Sequence, residues 1–141
     1  FVKLYNKAIK KKGKNVENFI SFLESRLDNV VFQLKFAPSI EAAQQLILHN
    51  KILVNSNLTN SSNYLVNRFD IIKLNTDNVS WLDNTIATNK SFTKALVIPN
   101  NYEVNYNNLT GIYLSSNNFK DINLNSLVYI QFAMFYFYKY C

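Results

Sequence analysis

The chain has 141 residues, a formal net charge of +6 and a hydrophobic content of 48%. This length suits one domain, or one domain with an appended piece, and the apolar content is too high for an intrinsically disordered chain. The single cysteine, Cys141, excludes an internal disulfide framework and a cysteine-based zinc site within this sequence. No apolar stretch reaches the roughly 18 residues of a candidate transmembrane helix. The first residue is not methionine, which indicates that an upstream part is missing.

The positive charge is concentrated at the N-terminus. Six lysines and no acidic residue fall within residues 1–14, whereas the rest of the chain carries nine basic and nine acidic side chains. A positive field confined to one segment indicates docking onto a polyanion. Nucleic acid is the leading candidate and a membrane surface is the alternative. The lysines predicted to contact phosphates are Lys10, Lys11, Lys12 and Lys14.

Helical periodicity follows this basic segment. Apolar residues at helical spacing predict one helix from Asn15 to Leu34, which Ala37 and Pro38 end. Ser39 is placed to cap a second helix that ends at His49 and Asn50. The predicted inner face of this second helix consists of Ile40, Ala43, Leu46 and Ile47.

Short strands and a second helical pattern follow. Residues 52–54 and 70–74 are predicted strands, with a polar, turn-rich stretch over residues 55–63 between them. A weaker helical pattern runs through Val79, Leu82 and Ile86 and ends at Pro99. Residues 102–104 and 111–114 alternate as short strands do. The apolar run over residues 127–138 is too short to span a membrane and is predicted to pack on the core or on a partner. This order of elements indicates an α+β fold.

The two linked helices and the following strand form a predicted platform of polar side chains. Amides, hydroxyls and cations at these positions can bond to sugars and phosphates without reading a base sequence, and a helix N-terminus can receive a phosphate. These features favour structured RNA as the ligand. The candidate residues are Lys35, Ser39, Gln44, Gln45, His49, Lys51 and Asn55.

Arg26 leaves two interpretations open. On a continuous helix it would share a face with Phe19, Phe22 and Val30, so that its stem would lie along apolar surface. In the structural interpretation it would pair with Asp28 or Glu24, or bond to backbone carbonyls. In the functional interpretation it would hold a phosphate with two hydrogen bonds.

An enzyme is not indicated. His49 is the only histidine, and at a helix C-terminus it is more typical of a cap or a packed residue than of a catalytic base. No carboxylate pair, glycine-rich phosphate loop, nucleophile elbow or metal-ligand spacing accompanies it. The sequence therefore predicts no catalytic residue, no metal site and no cofactor.

Several segments resemble a known family. RLDNVV, AAQQL, HNKILVN and NYLVNRFDII are similar to the RNA-binding motif of the fourth small-subunit ribosomal protein (the uS-four family). The flanks KAIKKKGKNVENFISFLE and IPNNYEVNYNNLTGIYLSSNNFKDINLNSLVYIQF resemble the approach to that motif and its ending. The resemblance extends to about Phe132. LKFAPS resembles alpha-proteobacterial and mitochondrial members of the family more than plastid ones, and the Asn- and Lys-rich composition is typical of an AT-rich genome. Together they imply a mitochondrial rather than a plastid ribosome.

The resemblance implies a fold, partners and a site. The fold would be a two-helix-plus-strands RNA-binding motif (S-four-like, the alpha-L motif) with flanking helical segments and short antiparallel strands. Residues 1–20 would lead into the motif at 21–76, residues 77–124 would complete the domain, and 125–141 would form the apolar C-terminal element. The partners would be small-subunit rRNA and neighbouring small-subunit proteins, including the fifth, with no membrane and no small-molecule substrate. The RNA-facing set would include Arg26 and the platform residues other than Lys35.

The chain departs from the family pattern at four places. The family has arginine where Gln33 and Gln44 stand, glycine at Ser56, and Pro-Gly at Arg68-Phe69. Loss of two arginines predicts a weaker salt dependence of RNA binding. Loss of glycine at two turns predicts altered turn geometry there, since a positive φ is costly for other residues.

Three functions remain open from the sequence. The first is a structural, rRNA-binding protein that helps to nucleate assembly of the small-subunit body in a mitochondrial ribosome. The second is an accessory RNA-binding module of an RNA-modifying enzyme, which would need a catalytic domain for which the chain has no room. The third is a free-standing rescue or assembly factor of the heat-shock type.

Overall fold

A computed structural model describes residues 2–12, 15–76 and 98–115 of the chain. Within these ranges there are four helices, α1 (Val2–Lys10), α2 (Asn15–Glu24), α3 (Leu27–Gln33) and α4 (Ile40–Leu48). The strands are β1 (Ile52–Val54), β2 (Asn57–Leu58), β3 (Ile71–Leu74), β4 (Tyr102–Asn105) and β5 (Thr110–Tyr113). They form an antiparallel sheet in the order β2-β1-β3-β5-β4. The predicted α+β class is confirmed.

The predicted strands are confirmed to within one residue at their ends. The turn-rich stretch after β1 also contains the two-residue strand β2, which pairs with β1 through Leu53 and Leu58. The helical pattern through Val79 and the apolar run over residues 127–138 lie outside the described residues.

The chain divides into two compact units. One contains residues 25–115, and the described part of the other consists of residues 2–12 and 15–24. In the larger unit the side chains of β3 alternate between the two faces of the sheet, with Ile72 and Leu74 buried and Ile71 and Lys73 exposed. The core is a continuous cluster of side chains from α3, α4 and the buried face of the sheet. Its fully buried members include Val30, Leu34, Ile47, Ile52 and Ile72.

The smaller unit is a pair of helices. Ala8 on α1 and Phe19 on α2 are fully buried, and Tyr5 packs edge-on against Phe19 with ring centroids 6.4 Å apart. Asn18 on α2 donates from its side-chain amide to the carbonyl oxygen of Lys11, 3.1 Å away, just after α1 ends. The predicted basic helical segment therefore contains α1, whose apolar face packs on α2 while its lysines lie at the surface.

The prediction of one helix over residues 15–34 was wrong. The helix is interrupted at Ser25 and Arg26, and Arg26 is extended, with φ −64° and ψ 138°. A crossing segment causes the break, because Val66 N–H donates to the carbonyl of Ser25 (2.7 Å) and Leu27 N–H donates to that of Tyr64 (2.8 Å). The apolar periodicity continues across the break because each helix separately buries an apolar face.

Pro38 does not set the end of α3. The helix ends earlier, because Lys35 adopts a left-handed φ of 61°. Phe36 N–H donates to Val31 O (3.2 Å) and Lys35 N–H donates to Phe32 O (3.0 Å), which is the Schellman pattern of a helix C-terminus. The same pattern ends α4, where Asn50 has φ 55°.

The second helix has the predicted caps. Ser39 Oγ accepts from Ala42 N–H at 3.1 Å, and His49 is the C-cap residue. Its predicted inner face was wrong at Ile40, which is 40% exposed, whereas Ala43 and Ile47 are fully buried. Ile40 is the first residue of the helix, and the buried face begins one turn later.

Two turns keep left-handed geometry without glycine. Asn55 and Ser56, with φ 50° and 67°, join β1 to β2 as a two-residue hairpin loop, and two positive φ values are typical of a type I′ turn. Phe69, with φ 68°, lies in the turn that Asp70 N–H closes onto Asn67 O at 3.1 Å. The absence of glycine at Ser56 and Phe69 therefore does not prevent a positive φ at either residue.

Ser56→Gly should stabilise the protein by about 0.5–1 kcal/mol. Glycine removes the steric cost of the left-handed conformation, and part of this gain is offset by the larger entropy of the unfolded chain. Urea unfolding of the full chain should show a higher midpoint with an unchanged slope. Ser56→Ala is the control, because alanine loses the hydroxyl but keeps the strain, so it should give no gain.

Leu34 connects α3 to the β4–β5 hairpin. Its carbonyl accepts from Tyr106 Oη at 3.1 Å, and burial raises the pKa of this tyrosine above its usual value. A Cβ added at Gly111 of β5 would lie 2.5 Å from Leu34 Cδ2 and 2.6 Å from Cδ1. Leu34 is fully buried, so its side chain has little room to move.

Gly111→Ala should therefore destabilise the protein by about 1–3 kcal/mol, as expected for an overpacked core. The cost should fall in a Leu34→Val background, because valine lacks both Cδ atoms. A double-mutant cycle from urea unfolding measures this coupling. Additive effects of the two substitutions would contradict the proposed close approach.

Candidate nucleic-acid interface

A buried carboxylate lies at the centre of the predicted RNA-facing surface. The side chain of Asp28, on the first turn of α3, is 3% exposed. It accepts hydrogen bonds from Arg26 Nε at 3.2 Å and Nη2 at 2.6 Å, from Gln44 Nε2 at 2.9 Å, and from Asn29 N–H at 2.8 Å. Four donors satisfy both carboxylate oxygens, which is what a buried anion requires. Asp28 thereby holds two predicted RNA ligands, Arg26 and Gln44, in fixed positions.

Of the open interpretations for Arg26, the structure contains the ion pair with Asp28. The predicted shared face with Phe19 and Phe22 was wrong, because those residues belong to a different helix. The side chain is nevertheless 25% exposed, and a guanidinium has five N–H donors, of which the pair with Asp28 uses two. Pairing with Asp28 and binding of a phosphate are therefore compatible, and the carboxylate orients the fork.

The start of α4 is already partly engaged. Of the N–H groups in its first turn that have no partner within the helix, that of Ala42 donates to the hydroxyl of Ser39. Glu41, also in the first turn, is exposed and carries the acid that favours the helix dipole. A phosphate at this terminus would have to share the donors with Ser39 and lie near that negative charge.

The remaining platform residues differ in exposure. Gln45 and His49 are exposed, Lys51 is half-buried, and its N–H closes the end of α4 onto Leu46 O at 2.9 Å. Lys35 is only 9% exposed, and its ammonium lies 5.0 Å from the centroid of the Phe32 ring. The backbone roles of Lys35 and Lys51 at helix ends were not predicted from the sequence.

Asn55 uses both ends of its side-chain amide within the protein. Its Nδ2 donates to Asp70 Oδ1 at 2.9 Å, and its Oδ1 accepts from Ile71 N–H at 3.0 Å. The other carboxylate oxygen of Asp70 accepts from Asn67 N–H at 2.8 Å. Asp70 thus braces both left-handed turns, a function that the sequence analysis missed although an aspartate at the end of a polar turn is a usual signal for it.

The N-terminal lysines lie on a separate unit. Lys10, Lys11 and Lys12 are exposed, and Lys14 lies outside the described residues. Lys7, which was not among the predicted ligands, is also exposed. Its ammonium and that of Lys11 lie 5.3 and 5.4 Å from the centroid of the Phe22 ring, a geometry that orders cations without neutralising them.

Of the predicted residues in the larger unit, the structure brings two together and separates others. Arg26 and Gln44 meet at Asp28, whereas Ser39 and His49 flank opposite ends of α4, about 15 Å apart at the rise of an α-helix. The predicted side chains are mainly hydrogen-bond donors, so they can bind anions. Among the described residues of this set there is no nucleophile next to a base. Among the described residues no group of histidine, cysteine and acidic side chains could hold a metal ion. The helices described are all too short or too polar to cross a membrane.

Arg26→Ala and Asp28→Ala should each lower the free energy of unfolding by about 1.5–3 kcal/mol, the range for hydrogen bonds to charged groups. The loss of free energy of unfolding in the double variant should be smaller than the sum of the two single losses. Either single substitution already removes the Arg26–Asp28 ion pair, so the second cannot remove it again. Urea unfolding of all four proteins checks this. Gln45→Ala, on the exposed side of α4, is the control and should be near neutral.

Comparison with known proteins identifies relatives. Residues 25–72 match the family model of the S4 domain. The chain is 34% identical over 123 residues to small ribosomal subunit protein uS4A of Nitrosomonas europaea, covering 87% of this chain and 58% of the relative. It is 38% identical over 128 residues to uS4c of Euglena gracilis, covering 89% and 62%, and 47% identical over 76 residues to uS4 of Paramagnetospirillum magneticum, covering 54% and 37%. The predicted resemblance is confirmed, and the chain spans about three fifths or less of these relatives.

Proposed function

Residues 25–72 of this chain are an S4 domain, and more than four fifths of the chain is related to small ribosomal subunit protein uS4; from this we propose that the protein is a structural, rRNA-binding constituent of a small ribosomal subunit. The S4 match carries the proposal. It covers α3, α4 and β1, together with all the predicted RNA-facing residues of the larger unit. The relatives are named as ribosomal proteins, which supports a role in assembly and architecture and no catalytic one.

The binding mechanism in this proposal is electrostatic and positional. Arg26, held by Asp28, offers donors in a fixed orientation to a phosphate, which lowers the entropic cost of binding. Exposed Gln45 and His49 bond to sugar or phosphate oxygens along α4. The lysines of α1 and the residues after it supply a positive field that attracts folded RNA from a distance.

The proposal extends to a mitochondrial ribosome, to an early role in assembly of the small-subunit body, and to an interface with the fifth small-subunit protein. The segment LKFAPS and the Asn- and Lys-rich composition support the organelle. The relatives reported above come from bacteria and, as a plastid form, from Euglena gracilis, so they give the mitochondrial assignment no support. Fractionation of the source cells, with the tagged protein followed by immunoblot, tests the location. Recovery with plastids would exclude the mitochondrial assignment.

A sucrose gradient tests the ribosomal role. A stable constituent comigrates with the small subunit through high salt, because many interactions hold it within the particle. A heat-shock-type rescue or assembly factor leaves the particle at moderate salt. Release of the protein together with a control translation factor, while the other small-subunit proteins stay bound, would contradict the proposal.

Replacing Lys10, Lys11, Lys12 and Lys14 by glutamine should weaken binding to a small-subunit rRNA transcript. The slope of log K against log salt is negative. Each lysine–phosphate ion pair that the substitutions remove should reduce its magnitude by up to about 0.7–0.9. Filter binding of the full chain over a salt series measures this.

The matched control replaces Lys90, Lys94, Lys120 and Lys139 by glutamine, which removes the same charge elsewhere in the sequence. Specific phosphate binding by the N-terminal lysines requires a larger change in the first variant than in the control. If the slope of log K against log salt were the same for both variants, the effect of the N-terminal lysines would be one of net charge alone.

A further inference from the structure

An exposed aromatic ring occupies a strained position in the larger unit. Phe69 is 62% exposed and has φ 68°, a left-handed conformation that bulky residues rarely adopt. An exposed phenylalanine gains little from burial in the fold, so the fold itself does not account for a ring here. Strained residues of this kind persist where their surroundings hold them, and they cluster at functional sites.

The surroundings hold Phe69 firmly. Its N–H donates to Tyr113 O at 2.6 Å, at the end of β5, and Asp70 N–H closes the turn onto Asn67. The carboxylate of Asp70 accepts from Asn67 N–H and from the Asn55 amide, which ties this turn to the β1–β2 hairpin. The ring is therefore presented on a braced turn.

Arg68 lies against this ring. Its Nε donates to the carbonyl oxygen of Leu114 at 2.8 Å, and its guanidinium carbon is 5.0 Å from the centroid of the Phe69 ring. This is the distance of a cation–π interaction, so the arginine orders the ring and keeps a positive charge beside it.

The charge around the ring favours an anion. Between residues 51 and 76 the exposed charged side chains are Arg68 and Lys73, and Asp70 is 9% exposed with both carboxylate oxygens accepting hydrogen bonds. Glu103 on β4 is an exposed acid of the same sheet, but it is two strands away from Ile71, since both residues pair with Ile112 on β5. Arg68 is the charged group that lies against the ring. An exposed aromatic ring beside an arginine suits a nucleotide, whose base stacks on the ring while its phosphate meets the cation. A neutral apolar protein surface would leave the charge of Arg68 without a matching group.

We propose that Phe69 and Arg68 form a stacking platform for one unpaired nucleobase of the RNA that this protein binds. The inference rests on the proposed function, since it assumes that the ligand is RNA, and it adds a site for single-stranded RNA outside the α3–α4 surface. Stacking is sequence-tolerant, because every base offers a π-face. The platform adds affinity for a loop or bulge and leaves base identity unread.

Three substitutions at Phe69 separate stacking from other roles. Phe69→Trp keeps a flat ring, Phe69→Leu keeps an apolar side chain without a π-face, and Phe69→Gly removes both the side chain and the strain. Ile71→Ala, at a neighbouring residue that is 46% exposed, is the matched control for an exposed apolar group. The full chain is used, with a small-subunit rRNA transcript as one probe and a fully paired RNA duplex as the other.

Phe69→Gly should weaken RNA binding without lowering the stability of the protein. Its affinity for the transcript should fall about tenfold, in the range for removal of one base stack, while its urea midpoint stays equal to that of the parent or rises. Phe69→Leu should weaken binding by a similar factor, and Phe69→Trp should bind as the parent does. The salt slope should not change in these variants, because the ring carries no charge. Ile71→Ala should also bind as the parent does, and affinity for the duplex should be the same for all.

A fluorescence measurement detects the stack directly. In a Trp81→Phe background, tryptophan at position 69 is the single reporter, and stacking on a base should quench it when the transcript is added. Parent-like transcript affinity of Phe69→Leu and Phe69→Gly, with no quenching, would overturn the inference and leave the proposed function intact. If these variants instead fail to bind a small-subunit protein that the parent binds, the ring faces protein and the inference is also overturned. Failure of the parent chain to bind the transcript would reject the proposed function itself.

Discussion

The hydrogen bonds to the Asp28 carboxylate join the beginning of α3 to α4 and orient the groups between them. A buried carboxylate without partners would be costly, and here four donors from three residues satisfy it. Two of those residues, Arg26 and Gln44, have donors left for a ligand. The network therefore stabilises the two-helix scaffold and positions the proposed phosphate ligands at the same time. A substitution in this network should change both folding stability and RNA binding. The two effects can be separated only if both are measured.

Asp70 has a comparable function at the start of β3. Its two oxygens connect Asn55 and Asn67, and through them the two turns that keep positive φ at Ser56 and Phe69. The strain of each turn is local, whereas the brace acts across the sheet between β1 and β3. This explains how left-handed geometry persists at positions where glycine would be the least costly residue. It also explains how an exposed phenylalanine is held in one orientation.

The distribution of charge separates two modes of interaction. Lys7, Lys10, Lys11 and Lys12 are exposed and close together in sequence, and residues 1–14 contain no acid, so their positive field extends over about a Debye length. In the larger unit three cations are spread along the chain and lie against a ring or a carboxylate: Arg26 against Asp28, Lys35 against Phe32 and Arg68 against Phe69. In the proposed function the first group attracts RNA and the second fixes its position.

The sequence by itself determined the class of the fold, α4 with both its caps, and the strands β1, β3, β4 and β5, because these depend on local periodicity and on side chains next to the backbone groups they satisfy. It also determined the N-terminal charge and, through RLDNVV and HNKILVN, the family. Only the tertiary structure decided the break between α2 and α3, since the segment around Leu65 that pairs with Arg26 is distant in sequence. The choice of Asp28 as the partner of Arg26 and Gln44, the brace at Asp70 and the left-handed turn at Phe69 were likewise decided there. Each depends on a hydrogen bond between residues brought together by folding, and apolar periodicity carries no information about such pairs.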